Sequence, residues 1–163
     1  MSPATRHHIL SVLVENKPGV LARVSGLFAR RGFNIFSLAV APTDDATRSR
    51  ITIVVDVESA PLEQITKQLD KLINVLQIDE LAPTDAVERE LMIVTVTVTP
   101  ASKPALLSLT EEYSGAVLDE AGDRITVSLG GTPEALDAFT SQMGTAVVAY
   151  QRTGRIALPR ITS

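Results

Sequence analysis

Ile9-Leu10-Ser11-Val12-Leu13-Val14 runs into Glu15-Asn16-Lys17-Pro18-Gly19, and that into Val20-Leu21-Ala22-Arg23-Val24-Ser25-Gly26-Leu27-Phe28. The first six residues are mostly β-branched or aliphatic, the composition of a buried strand. In the last nine, the apolar positions 20, 21, 24, 27 and 28 fall on one stripe of a helix. Arg30-Arg31-Gly32 ends that helix, with cations at the negative end of its dipole and a glycine for the left-handed turn beyond it. Pro18 fixes the backbone at the helix start. A strand therefore passes into a helix through one short polar turn.

The same grammar continues outward. Phe33 to Ala41 reads as a second strand, Pro42-Thr43-Asp44-Asp45 as a turn and Ile51 to Val57 as a third strand. Ser59-Ala60-Pro61 opens a second helix whose stripe is Leu62, Ile65, Leu69, Leu72 and Ile73, and Val75 to Leu81 makes a fourth strand. The order is βαββαβ. The second half repeats it: Leu91 to Thr99 alternates Met92, Val94, Val96 and Val98 against Ile93, Thr95 and Thr97. Ser102 to Tyr113 is a helix with Leu106, Leu107 and Leu109 inward, and Ala116 to Leu118 and Ile125 to Leu129 flank an Ala121-Gly122-Asp123 turn. Thr132-Pro133-Glu134 caps a helix carrying Leu136, Phe139 and Met143, and Val147 to Tyr150 closes the unit. Two such units predict an α+β chain of two tandem ferredoxin-like sandwiches, each an antiparallel sheet with helices on one face. The expected division is residues 1–80, a polar linker over 81–89, and 90–163. Each unit is small and leaves one sheet face open, so pairing with something else is expected.

Composition excludes more than it proposes. The chain has 163 residues, 45% hydrophobic and 21% charged, which is enough apolar surface for a core. Its longest unbroken apolar run, Ala146 to Tyr150, is far short of the roughly 20 residues a membrane span needs. Nor does Met1-Ser2-Pro3-Ala4-Thr5-Arg6 open a signal peptide, so a cytoplasmic location is expected. Without cysteine there is no thiolate metal site, disulfide or cysteine nucleophile. His7 and His8 are the only histidines, and an extended segment would point them to opposite faces, as expected of frayed or strand-edge residues rather than a metal site or a triad. A net charge of −4 and 4% aromatics argue against nucleic acid. The charge is lopsided: residues 1–80 balance to zero, and residues 81–163 carry all of the excess.

Chemistry concentrates in the first turn. The amides of Gly19, Val20 and Leu21 point out of the positive end of the helix, which favours a carboxylate, and Gly19 has no side chain to block an approach. Asn34, on the neighbouring strand, offers a donor and an acceptor. Together with apolar walls these describe a site for a free aliphatic amino acid; an ordinary capped helix beside a solvated Asn34 fits the same residues. Asp44 and Asp45, and the group Asp119, Glu120 and Asp123, lack the alternate spacing of a calcium loop and read as solvated turns. Arg48 and Arg50 alternate on one strand face and read as ion-pairing residues. Gly130-Gly131 lacks a phosphate loop's companions and reads as a turn.

Leu10 to Val24, with its Glu15-Asn16-Lys17-Pro18-Gly19-Val20-Leu21-Ala22-Arg23 turn, and Gly26-Leu27-Phe28-Ala29-Arg30-Arg31-Gly32-Phe33-Asn34-Ile35 closely resemble the regulatory small subunits of bacterial acetolactate synthase. The likeness continues through Ser37 to Asp45, Ser49 to Ile53, Leu62 to Leu69, Lys71 to Val75 and Val87 to Leu91, and is weaker beyond residue 96. The resemblance implies an N-terminal ACT domain and a C-terminal domain typical of these subunits, with no catalytic residue, metal or cofactor of their own. It implies a large catalytic subunit as partner, carrying thiamine diphosphate, FAD and Mg²⁺ and condensing pyruvate with pyruvate or 2-oxobutyrate for branched-chain amino acid synthesis. The small subunit would raise that activity and confer feedback inhibition by valine. In the family the effector lies where two ACT domains meet in a homodimer. Carried over, the contacts are Asn16, Gly19, Val20 and Leu21 from the turn of one copy, with Asn34 and Ile35 from the second strand of the other. Phe36 stands where the family usually has an acidic residue, and strand alternation puts it on the same side as Asn34, in an effector pocket or at an interface. The tail Ile156-Ala157-Leu158-Pro159-Arg160 lacks the usual Gly-rich ending. A stand-alone ACT-domain amino-acid sensor is the alternative, against which the length of the match argues; a small enzyme lacks any acid, base or nucleophile constellation.

Overall fold

The computed structural model describes residues 7–56 and 62–162. The start of the second helix at Ser59-Ala60-Pro61 and the end of the third strand at Val57 lie outside the described residues. The chain forms two units, residues 1–87 with 155–163, and residues 88–154. In the first, the elements are β1 (His7–Glu15), α1 (Val20–Arg30), β2 (Ile35–Pro42), β3 (Arg48–Asp56), α2 (Leu62–Asp70) and β4 (Val75–Leu81). They build an antiparallel sheet of order β2-β3-β1-β4, so both helices lie on one face and β2 is an edge.

The stripes explain the packing. Leu10, Val12 and Val14 of β1 and Ile51, Ile53 and Val55 of β3 meet Val20, Val24, Leu27 and Phe28 of α1 and Leu62, Ile65 and Leu69 of α2. Ile73 is a departure: α2 stops at Asp70, and Ile73 is 85% exposed in the turn that follows. That turn bonds more tightly than a helix, Leu72 N–H to the Leu69 carbonyl at 3.0 Å and Val75 N–H to the Leu72 carbonyl at 3.0 Å, which rotates Ile73 off the stripe. The first strand after α1 also starts later than its apolar run, at Ile35 rather than Phe33.

The opposite face of this sheet has a smaller apolar cluster, Ile9, Val54, Leu81, Ala86 and Ala157. Ile9 pairs with both Val54 and Leu81, so three strands contribute side by side. Ala157 comes from β9 (Ile156–Pro159), which the sequence division put with the second half and which here groups with the first unit. The Arg160 amide donates to the Asp85 carbonyl at 2.8 Å, and its Nε to the Thr84 carbonyl at 3.1 Å. The supposed linker is likewise structured: β4 holds Leu81, a short 3-10 turn spans Pro83–Asp85, and β5 begins at Ala86.

The second unit has β5 (Ala86–Thr97, whose first two residues group with the first unit), α3 (Lys103–Glu112), β6 (Ala116–Ala121), β7 (Arg124–Gly131), α4 (Pro133–Met143) and β8 (Val147–Arg152), with the order β6-β7-β5-β8. The alternation of β5 appears as expected, with Met92, Val94 and Val96 buried, and Val98 just beyond the strand is buried too. Thr132 caps α4 by accepting the Ala135 N–H at 3.2 Å. Gly115, between α3 and β6, is needed for space: a Cβ there would lie 2.2 Å from the Ser128 carbonyl oxygen and 2.9 Å from Leu129 Cδ2. Backbone cannot swing aside as a side chain can, so Gly115→Ala is expected to cost the unit about 2–3 kcal/mol through forced separation of β6 from β7. Urea unfolding followed by tyrosine emission checks this, since both tyrosines, Tyr113 and Tyr150, lie in the second unit and there is no tryptophan.

Among the described residues no helix is long and apolar enough to cross a membrane, and no cluster of His, Asp and Glu could hold a metal ion.

Candidate functional site

The turn after β1 is bound on both sides. The Asn16 amide donates to the Thr47 carbonyl at 2.8 Å and its Nδ2 to the Ala46 carbonyl at 3.0 Å, tying this turn to the β2–β3 turn. The Glu15 carboxylate takes Lys17 Nζ at 2.7 Å and Asn74 Nδ2 at 3.4 Å, and Arg23 reaches Asn74 Oδ1 at 2.7 Å. The hydrogen bond from Lys17, and less strongly its charge and Asn74, hold the Glu15 carboxyl below its ordinary pKa. A depressed folded-state pKa means this brace is present above the usual carboxylate range and is lost as pH falls through the lowered value. The turn is therefore a braced platform built from exposed and half-buried polar groups.

Gly19 caps α1 with φ 84° and ψ −10°, a left-handed conformation that disfavours a Cβ, and no side chain caps the helix. Of the first helical amides, Val20 N–H makes a long 3.4 Å bond to the Lys17 carbonyl. Among the described residues the amides of Gly19, Leu21 and Ala22 have no intrachain acceptor. An ideal Cβ on Gly19 would meet nothing within 4 Å, so the space beside the cap residue itself is open. Val20 is buried against the core and Leu21 is 42% exposed beside the cap. Unsatisfied amides at a helix N-terminus over open space, with Leu21 as an apolar wall, suit a carboxylate on a small aliphatic body.

Asn34 and Ile35 are elsewhere in the same copy. β3 lies between β1 and β2, so β2 is not the neighbour of β1. Ile35 pairs with Val55, which pairs with His8 at the start of β1, whereas the turn follows Glu15 at its end. At about 3.3 Å per residue the two groups are separated by roughly 23 Å along the sheet. Asn34 is exposed just before β2, and Ile35 is half-buried against the helix-side core. One copy brings together Asn16, Gly19, Val20 and Leu21, and does not bring Asn34 and Ile35 to them.

Phe36 departs from simple alternation. Ile35 pairs with Val55 and Ser37 with Val54, leaving Phe36 as the extra residue of a bulge. Its ring, 54% exposed, stacks on His7 at a centroid distance of 4.4 Å, away from the helix-side core. The histidines are thus an ordered start to a central strand, His8 Nδ1 lying 3.3 Å from Glu80. Arg48 pairs with Asp45 at 3.3 Å, and Arg50 donates to Ser11 Oγ at 2.9 Å. Asp45 is used inside its own turn, accepting from the Thr47 hydroxyl at 2.6 Å and amide at 2.9 Å, which hold its carboxyl below the ordinary value.

A sheet of order β2-β3-β1-β4 backed by two helices, with an open-amide turn after β1, defines the first unit as an ACT domain; residues 10–77 match the family described as the AHAS small subunit-like ACT domain. Residues 89–161 match the small subunit of acetolactate synthase, and the chain belongs to the acetolactate synthase small-subunit family. It is 51% identical over 139 residues to an acetolactate synthase small subunit of Mycolicibacterium smegmatis, covering 85% of this chain and 82% of that one. It is 44% identical over 154 residues to the isozyme 3 small subunit of Salmonella typhimurium, covering 93% and 94%. The crystal structure of the small subunit from Thermotoga maritima superposes with a TM-score of 0.87 at 34% identity over 97% of this chain and 99% of that one. The chain is accordingly a regulatory, non-catalytic subunit that works with a large subunit.

Proposed function

We propose that this subunit binds a branched-chain amino acid, valine first among them, where two copies meet, and thereby confers feedback inhibition on the large subunit it activates. The observation that carries the reading is the uncapped start of α1, whose first amides lack acceptors and whose cap residue Gly19 has open space beside it. Edge strand β2 supplies the second half. A two-fold axis beside it would pair two β2 strands antiparallel. The start of β2 in the second copy then faces the end of β2 in the first, and that is the end of the sheet carrying the Glu15–Gly19 turn. Asn34 and Ile35 of one copy thus approach Asn16, Gly19, Val20 and Leu21 of the other. The separation within one copy becomes a reason for dimerisation. The ligand's carboxylate lies on the amides, its ammonium takes the Asn34 carbonyl oxygen, and its branched side chain packs on Leu21 and Ile35. Thiamine diphosphate, FAD and Mg²⁺ belong to the large subunit in this scheme.

Calorimetric titration with valine, leucine and isoleucine tests the ligand, and sedimentation equilibrium tests the joint. The expected result is saturable binding by a species of at least twice 17.4 kDa. Tight valine binding by a clean monomer at micromolar concentration would overturn the shared site, and no binding of any branched-chain amino acid by the dimer would overturn the effector.

A further inference from the structure

The bulge at Phe36 is flanked on one side by Ile35, a proposed effector contact, and on the other by Ser37, which holds another part of the chain. The Arg155 amide donates to Ser37 Oγ at 2.7 Å. The Arg155 guanidinium carbon lies 5.2 Å from the centre of the Phe36 ring, whose neighbour His7 also approaches Arg155 NH1 with its Nδ1 at 3.3 Å. Arg155 is 8% exposed, and two residues later Ala157 is 7% exposed in the cluster with Ile9, Val54 and Leu81. Arg155 is thus the first residue of a segment strapped to the sheet face opposite the helices, and it follows directly on Gly154, the last residue of the second unit.

A bulge is a weak place in a sheet, because its extra residue takes no place in the ladder and the strand can turn there. The direction of Asn34 and Ile35 therefore depends on what holds the ring next to them. We propose that Arg155 is a positioning residue for effector recognition: by gripping Phe36 and Ser37 it fixes the bulge that aims Asn34 and Ile35, so the response to valine needs this latch and activation of the large subunit does not. This rests on the effector reading above. Neither Arg155 nor Phe36 touches the proposed ligand, and both act through the backbone of β2.

The test uses the full chain, alone and reconstituted with its large subunit, as wild type, Arg155→Ala, Arg155→Lys, Phe36→Ala and Phe36→Glu. In the isolated chain, Arg155→Ala and Phe36→Ala should speed amide hydrogen exchange across Ile35–Leu38. Phe36→Glu, which offers the guanidinium a carboxylate in place of a ring, should keep the protection. In the reconstituted enzyme, Arg155→Ala should leave acetolactate formation without valine unchanged and raise the half-inhibiting valine concentration by about tenfold or more, with partial rescue by Arg155→Lys. A merely structural role would lower activation and melting temperature together and leave the half-inhibiting concentration of the surviving enzyme in place. Unchanged exchange at Ile35–Leu38 in Arg155→Ala overturns the latch whether or not valine is the effector. Faster exchange with no wild-type response to valine overturns the effector reading and leaves the latch a purely mechanical one. Faster exchange with an unaltered wild-type-like valine response overturns its role in recognition.

Discussion

Gly19→Asp is expected to give a holoenzyme that is still activated by its small subunit but no longer inhibited by valine. The residue caps α1, and the open space above it is where the ligand's carboxylate would lie on the helix amides. A second carboxylate about 4 Å from the first, at an effective dielectric near 20, repels by roughly 4 kcal/mol, close to a thousandfold in affinity. The fold should tolerate the change at some cost. No atom lies within 4 Å of the added Cβ, but φ is 84°, and holding a non-glycine residue there costs roughly 1–2 kcal/mol, partly offset by a negative charge at a helix N-terminus. Gly19→Asn is the matched control, since it carries the same backbone strain and nearly the same bulk without the charge. Acetolactate formation should be measured against valine concentration for the three reconstituted enzymes. The asparagine variant should stay inhibitable at raised valine and the aspartate variant should not. Equal inhibition of wild type and Gly19→Asp would remove the effector from this turn.

In the second unit the largest effect is expected from Arg152. Its guanidinium meets Glu90 and Asp137 and donates to the Pro133 carbonyl at 3.3 Å, joining β5, β8 and α4. Burial alone would lower its pKa, but the hydrogen bonds to Glu90 and Asp137 outweigh that and hold it above the ordinary value. The two carboxylates are not equivalent: the Glu90 side chain is 5% exposed and that of Asp137 is 66% exposed. Arg152→Met leaves the Glu90 carboxyl buried without its cation, which should cost about 3–5 kcal/mol. Asp137→Asn breaks only a solvated pair, for about 1 kcal/mol or less. Because removing both partners leaves no stranded charge, Glu90→Met with Arg152→Met should recover much of the loss. Urea midpoints from tyrosine emission for these three variants and for Glu90→Met alone give the four values the comparison needs. A double variant as unstable as the sum of its singles would mean that the pair is not coupled.

What could be read from the sequence is what period and spacing encode. Met92, Val94, Val96 and Val98 alternate because one face of β5 is a core, and residues 20, 24, 27 and 28 recur because one face of α1 is. Capping was legible at Thr132 for the same local reason. What was not legible depends on partners distant in the chain. Asn34 follows α1 closely enough to suggest a place near the first turn, but strand order is set by which edges pair, and β3 inserts between β1 and β2. The bulge at Phe36 breaks the alternation that would have oriented it, and nothing in Ile35-Phe36-Ser37 announces it. The tail misleads more actively. Ile156 and Leu158 are the apolar residues of Ile156-Ala157-Leu158, yet they are 58% and 68% exposed, while the small Ala157 is the one that packs. A buried alanine leaves almost no hydrophobic signal.

That alanine also bears on how the protein comes into being. The helix-side core of the first unit is complete in the chain once β4 has been made, but its other face waits for Ala157, some 76 residues later, with the whole of the second unit synthesised in between. At ribosomal rates of about 5–20 residues per second that interval is roughly 4–15 s. For its duration the cluster of Ile9, Val54, Leu81 and Ala86 in the nascent first unit lacks its last member, while the second unit, contiguous from 88 to 154, can fold from its own residues alone. The domain translated first is therefore the one finished last. Any polypeptide whose synthesis stalls within the second unit lacks Ala157 and leaves this apolar stripe incomplete for chaperones or proteases to grip, and only a chain that has made residue 157 and freed it from the ribosome can close it.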